Sequence, residues 1–297
     1  MTAQLDGFAL DLGGTKIAAA RIAGGRIIAR EAASTSAQDD AAAQIAFMAG
    51  LAARVGHQPG APLGVAVAGR IDAAGHWQAV NTDTLGSIGA VPIAELIGAA
   101  LGPAACLNDA AAAALAEARL GAGRDLDNFA FLTVSTGVGG GLVLGGRLLS
   151  SVTGLAGHVG FTTTPGGTEA CGSGRRGTVE SVASGRGMAA MARAMGHDAD
   201  ARDICDAARQ GEGWAVAIVD RSAQAVATLI ADLTATLGLD AVAIGGGIGL
   251  SEGYIARVRA ALDAEPPLFR ASIAPAALGA DAPLIGALLH RLDGGYP

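Results

Sequence analysis

Near its start the chain alternates short apolar runs with glycine-rich turns, and it does so a second time further on. Residues 7 to 33, GFALDLGGTKIAAARIAGGRIIAREAA, read as a strand, a glycine turn, a second strand, another glycine turn and a third strand. Residues 128 to 149, NFAFLTVSTGVGGGLVLGGRLL, repeat that grammar. Short apolar runs bounded by glycine predict strands joined as hairpins. Two copies in the same order predict a duplicated α/β unit. Between them the pattern predicts a helix near Asp39 to Val55, the strand LGVAVAG, the helix VPIAELIGAAL and the helix AAAALAEARLG. After the second copy come a helix from Val179 to Met195, a longer one from Trp214 to Leu237, the strand AVAIGG and a terminal helix from Leu284 to Leu292. No low-complexity linker separates the halves. The expectation is therefore two similar lobes facing a cleft: residues 1–107 and 108–281, with 282–297 packing back on the first.

Composition narrows the class. Of 297 residues, 51% are hydrophobic and 16% charged, which excludes a disordered chain. Aromatics are only 3% while glycine numbers 46, so close backbone packing and tight turns are expected. The net charge of -7 and the lack of a Lys/Arg run argue against nucleic acid as a partner. Cys106, Cys171 and Cys205 are odd in number and widely spaced, as fits reduced thiols of the cytoplasm better than a disulfide framework. The opening MTAQLDGFALDLGG has no basic residue ahead of its apolar stretch, unlike a signal peptide. Apolar runs look too short to span a bilayer, and the one near Ile230 is interrupted by Asp232 and Asp240. A cytoplasmic protein with no membrane partner is expected.

The two first turns carry candidate chemistry. DLGGTK, Asp11 to Lys16, and STGVGGG, Ser135 to Gly141, expose backbone N–H groups that side chains would otherwise cover, and threonine adds a hydroxyl donor. Two such turns could hold one polyphosphate; equally, they could be hairpin turns that need glycine for geometry alone. Asp11 tilts the balance, because a carboxylate ending an apolar strand is costly unless a cation such as hydrated Mg²⁺ compensates it. A third loop, AIGGGIG at Ala243 to Gly249, follows a buried strand and precedes a helix, a platform suited to a nucleoside. No G-x-x-x-x-G-K-[ST] occurs. A formal G-x-G-x-x-G at Gly172, Gly174 and Gly177 lacks the preceding strand that a dinucleotide site requires. In CLNDAAAAALAEARLG, either Asn108 or Asp109 could cap the helix; Asp109 could also accept a proton from a sugar hydroxyl while Asn108 places its neighbour.

Taken in order, DLGGTK, LNDA, STGVGGG, GLAGHVG, TVESVASG and AIGGGIG make the whole chain resemble the ROK family of sugar kinases. The resemblance implies the actin/hexokinase/Hsp70, ribonuclease H-like fold: two α/β lobes of duplicated βββαβα units. GLAGHVGF, ASGRGMAAMA and GLSEGYIARVRAAL are most similar to its bacterial members that phosphorylate N-acetylmannosamine. The implied reaction is ATP-dependent phosphorylation of that sugar at its 6-hydroxyl, with Mg²⁺, in a cytoplasmic homodimer of sialic acid catabolism. Asp109 would be the general base. Asp11, Gly13, Gly14, Thr15 and Lys16, with Thr133, Ser135, Thr136, Gly137, Gly139 and Gly140, would line the ATP phosphates. Gly245, Gly246 and Gly247 would lie by the adenosine. Gly69, Arg70, Asn81, Asn108, Asp109, His158 and Glu180 would contact the sugar.

The resemblance also exposes a departure. The family loop holds a structural zinc through one His and three Cys. In GHVGFTTTPGGTEACGSGRRGTVES, Phe161 takes the His position, and the three Cys positions read Cys171, Ser173 and Thr178. One ligand of four remains, so no structural zinc is expected. His158 stands where the family has a sugar-contacting Glu. Three alternatives remain open on these residues: the same chemistry on glucose, N-acetylglucosamine or fructose; a sugar-responsive regulator, which would need a DNA-binding domain ahead of Asp11; and an actin-like ATPase, against which Asn108, Asp109 and Glu180 argue.

Overall fold

The structure, a computed structural model, describes residues 5–36, 39–82, 85 and 88–295. The chain forms two compact units. The first comprises residues 1–116, 150–156 and 280–297, and the second 117–149 and 157–279.

In the first unit, β1 (Gly7–Leu12), β2 (Lys16–Ala23) and β3 (Arg26–Ser34) form an antiparallel meander, as the two glycine turns predict. Helix α1 (Ala41–Arg54) leads to β4 (Leu63–Val67). A small sheet of β5 (Arg70–Ile71), β6 (His76–Gln78) and β7 (Val91–Pro92) follows, then α2 (Ile93–Leu101), β8 (Ala105–Asn108) and α3 (Asp109–Leu120). The main sheet runs β3-β2-β1-β4-β8, with β1, β4 and β8 parallel.

The second unit repeats this plan. Strands β9 (Phe129–Val134), β10 (Val138–Leu144) and β11 (Arg147–Leu148) form the meander. Helices α4 (Val179–Ala183), α5 (Gly185–Ala194), α6 (Ala201–Arg209) and α7 (Gly213–Leu237) precede β12 (Ala241–Gly245), α8 (Tyr254–Leu262) and β13 (Ser272–Pro275). The sheet order is β11-β10-β9-β12-β13. Third, second and first strands, then two parallel ones: the order matches the first sheet, so the duplication seen in the glycine pattern is topological.

Helix α9 (Ala282–Leu292) belongs to the first unit and packs on β1, β4 and β8. A Cβ at Gly64 would overlap the Ala287 carbonyl, so the β4 backbone meets the helix directly. The sequence pattern divides the chain between 107 and 108; the units instead divide within α3, because Ala112 in its first turns packs against Gly286 of α9.

Two expectations need correction. The helix from Val179 to Met195 is two helices, broken at Ser184, whose backbone is extended (φ -74°, ψ 160°) and whose hydroxyl caps α5 by accepting from Gly187 N–H. The break lets Gly185 N–H donate to the Ser135 carbonyl at 2.8 Å, a tertiary bond with no local signature. The apolar run near Ile230 is not interrupted at Asp232. Helix α7 continues to Leu237 and is long and apolar enough, by length and composition, to cross a membrane. Its apolar positions, among them Ile218, Val226, Leu229 and Ile230, lie instead in the core of the second unit, against α4, α5, α6 and α8.

Candidate functional site

In the first unit the parallel strands end level with one another. Leu12 of β1 pairs with Val67 of β4, and Val67 with Asn108 of β8. Carboxyl ends of parallel strands are where α/β sheets present ligand-binding groups. Asn108 and Asp109 stand there at the start of α3, and the question of which residue caps is resolved. Asn108 Oδ1 accepts from Ala111 N–H at 3.0 Å, the N-cap geometry. Its Nδ2 donates to the Gly69 carbonyl at 2.8 Å and to Asp109 Oδ1 at 3.0 Å. Asp109 Oδ1 also accepts from Ala110 N–H at 2.8 Å. Burial pushes the Asp109 carboxyl up to about 6, against the opposing pull of these hydrogen bonds. A carboxylate titrating there is ionised at neutral pH yet basic enough to take a proton.

Asp11, one residue from the end of β1, has an enclosed Oδ1 with no hydrogen-bond partner. Burial, and then the charge of Asp109, push its carboxyl up to about 8, with Arg30 and Lys16 pulling the other way. An orphaned buried oxygen beside a second carboxylate is a donor set that a hard divalent cation fits. The turn after it is closed by Gly13 N–H donating to the Lys16 carbonyl at 2.9 Å, and Thr35 Oγ1 donates to the Gly13 carbonyl at 2.8 Å. Gly14 is half-buried, and Thr15 and Lys16 are exposed. Arg70 is engaged on its own unit: Nη2 donates to Gln78 Oε1 at 2.6 Å and Nη1 to the Thr153 carbonyl at 2.7 Å. It therefore braces residues 150–156 against β5 and β6. Asn81 lies beyond β6, its carbonyl accepting from Leu85 N–H at 3.5 Å.

In the second unit Thr133 holds in β9 the penultimate place that Asp11 holds in β1. The following turn is gripped on three sides. Ser135 N–H donates to the Gly137 carbonyl at 2.9 Å, Gly185 N–H to the Ser135 carbonyl at 2.8 Å and Arg186 N–H to the Thr136 carbonyl at 3.4 Å. Val138 N–H donates to Glu180 Oε2 at 3.1 Å. The Thr136 and Gly137 amides take part in none of these bonds. Gly246, at φ +86°, brings the loop after β12 against Thr133, where a Cβ would lie 2.7 Å from Oγ1. Gly139 and Gly140 pair inside β10 with Thr133 and Leu132, and Gly140 makes room for Val159.

A pocket of about 580 Å³ opens beside this turn, lined by Ser135, Thr136, Gly247, Ile248 and Ser251 together with Arg186, Arg202, Cys205 and Asp206 of α5 and α6. Its size suits a nucleoside. Helix α5 falls within the helix expected from Val179 to Met195; α6 is not among the expected elements, although Asp200 and Asp203 form a capping box at its start and its buried residues, Ile204 and Ala208, stand one turn apart.

The segment 157–181 is held by its own backbone. Thr164 N–H donates to the Gly177 carbonyl, Gly177 N–H to Glu169, Cys171 N–H to Arg175 and Val179 N–H to Thr162, each at 2.9 Å. Arg221 Nη2 adds a bond to the Gly166 carbonyl at 2.6 Å. At the positions where the resemblance implies metal ligands, Cys171 Sγ lies 3.0 Å from Ser173 Oγ, and Thr178 Oγ1 caps α4 by accepting from Ser181 N–H. The half-buried Phe161 stacks on His158, ring centroids 6.0 Å apart. Among the described residues no group of three His, Cys, Asp or Glu side chains is placed to hold a metal ion.

This duplicated sheet, with a carboxylate at the strand ends of one unit and a gripped glycine turn beside a nucleoside-sized pocket in the other, is that of a sugar-kinase fold. The chain belongs to the ROK family, whose model matches residues 7–292. It is 42% identical to the N-acetylmannosamine kinase of Shigella boydii over 95% of this chain and 96% of that one. It is 40% identical to the bifunctional enzyme NanE/NanK of Brucella melitensis over 94% of this chain, and spans only about half (52%) of that longer protein. Among solved structures it resembles a ROK family glucokinase from Streptomyces griseus in complex with glucose and AMPPNP, with a TM-score of 0.81 and 27% identity over 97% of this chain and all of that one.

Proposed function

We propose that the protein is an ATP-dependent kinase that phosphorylates N-acetylmannosamine on its 6-hydroxyl. The observation that carries this reading is the division of labour at the start of α3: Asn108 caps the helix, and Asp109 is left as a carboxylate titrating near neutrality. Asp109 takes the proton of the sugar hydroxyl as its oxygen attacks the γ-phosphorus of ATP, and the ADP oxygen leaves. The turn at Ser135 to Val138 offers the Thr136 and Gly137 amides to the phosphates, and the pocket beside Gly247 takes the nucleoside. Mg²⁺ would be held by the phosphates and Asp11, and supplies charge neutralisation on the transferring group. Asn108, His158 and Glu180 orient the sugar. Gly69 contributes through the carbonyl that Asn108 pins, and Arg70 through the 150–156 segment it braces.

The identity of the sugar is supported by the full-length similarity to the Shigella boydii kinase. We read the protein as a cytoplasmic homodimer, a state that light scattering tests. The reaction is tested by product analysis. Phosphorus and carbon NMR of a reaction with N-acetylmannosamine and ATP should show one phosphomonoester, on the 6-oxygen, formed in equal amount with ADP. Phosphate on another oxygen, or ADP without sugar phosphate, would refute the reading.

A further inference from the structure

Glu180 is a buried carboxylate, 6% exposed, on a helix of only five residues. It reaches across to the phosphate turn, where Oε2 accepts from Val138 N–H at 3.1 Å. The contact is close on the neighbouring residue as well: a Cβ at Gly137 would lie 2.7 Å from Oε2, so a side chain there would displace the carboxylate. The segment that follows Glu180 holds the other end of the same turn, through Gly185 N–H on the Ser135 carbonyl and Arg186 N–H on the Thr136 carbonyl. Residues 180–186 thus clasp Ser135, Thr136 and Val138 together.

We propose that Glu180 is a positioning residue for the nucleotide: its carboxylate sets the Ser135–Val138 turn, and through it sugar binding and nucleotide binding are coupled. The coupling half rests on the proposed function, in which the same carboxylate meets a sugar hydroxyl. A group that contacts one ligand and shapes the loop for the other gives each ligand leverage on the other's affinity, equal in both directions.

The test reads binding of AMPPNP with Mg²⁺ by calorimetry, without sugar and with N-acetylmannosamine. In the wild type we expect the sugar to tighten AMPPNP by ~5-fold, the lower end of ordinary coupling. Glu180→Ala should bind AMPPNP ~10-fold more weakly without any sugar, the scale of losing a hydrogen bond to a charged acceptor, and should lose the sugar effect. Glu180→Gln, whose amide oxygen can still accept from Val138, should stay within ~3-fold of wild type for AMPPNP alone. If Glu180→Ala does not fold, Glu180→Asp decides: a carboxylate one methylene shorter should lose nucleotide affinity too. Wild-type AMPPNP affinity in the folded Ala or Asp variant, or an intact sugar effect in either, overturns the proposal. The sugar-free arm does not depend on which sugar is phosphorylated, so failure of the N-acetylmannosamine reading would show separately, as absent turnover with the nucleotide effect still present.

Discussion

Asn108 donates to Asp109 across a single peptide, 3.0 Å from amide nitrogen to carboxylate oxygen, while its own oxygen caps α3. One residue does the structural work and its neighbour keeps the basicity. Asp109→Asn should therefore fold with a melting temperature close to wild type and lose at least ~10²-fold in kcat, with sugar binding largely retained. The acidic limb of the pH–kcat/KM profile should fall as pH drops through about 6, where Asp109 takes up its proton. Asn108→Ala removes a hydrogen bond that stabilises the ionised form, so it should move that limb to higher pH. A limb that stays in place in Asn108→Ala, or a near-normal kcat in Asp109→Asn, would leave Asp109 without a role in proton transfer.

Asp11 gives a second prediction. Its folded-state pKa of about 8 lies above the ordinary value of 3.8. Between those values the folded protein holds a proton that the unfolded chain has released, so this group makes stability fall as pH rises through the window. Asp11→Asn should raise the melting temperature at pH 7.5 while lowering kcat. In the wild type at pH 7, binding of Mg²⁺ with AMPPNP should release up to about one proton from this carboxyl, read from calorimetry in buffers of different ionisation enthalpy. Equal heats in all buffers would separate Asp11 from the cation.

The 157–181 segment predicts a third outcome. Its order comes from backbone bonds, so purified protein should carry less than stoichiometric zinc by elemental analysis, and a zinc chelator should leave its melting temperature unchanged. Phe161 is only half-buried, so Phe161→Ala should cost ~1–2 kcal/mol, below the ~3–5 of a core aromatic. Because that ring stacks on His158, the same variant should raise KM for the sugar more than KM for ATP. One zinc per chain would mean that ligands lie elsewhere.

His158 itself is proposed to choose the sugar. A neutral imidazole both donates and accepts, where a carboxylate only accepts, and so suits an acetamido carbonyl at the 2-position. His158→Glu should shift the kcat/KM ratio towards glucose by at least ~10-fold, or 1.4 kcal/mol of differential transition-state binding. An unchanged ratio would reduce His158 to a space-filling ring.

Sequence pattern carried the architecture well where the signal was local. The glycine turns at Asp11 to Lys16 and Ser135 to Gly141 mark both meanders, and they stand at equivalent places in two sheets of the same order. What stayed hidden was set by tertiary contacts. The bond from Gly185 to Ser135 at the Ser184 break joins segments far apart in the chain, and the part α6 plays in the pocket wall follows from its packing against α5 and α7. Asn108 and Asp109 are equally good caps by residue type, and only the Ala111 N–H bond separates them. The reach of Glu180 to Val138 spans 42 residues and has no trace in either segment alone.

The central claim is tested most directly by the steady-state kcat/KM of the purified protein, followed by ADP release, for N-acetylmannosamine, glucose, mannose, N-acetylglucosamine and fructose under saturating Mg²⁺-ATP. We expect N-acetylmannosamine to exceed every other sugar by at least ~10-fold, the discrimination a single well-placed polar contact supplies. A higher value for glucose or N-acetylglucosamine, or no sugar-dependent ADP release at all, would contradict the account.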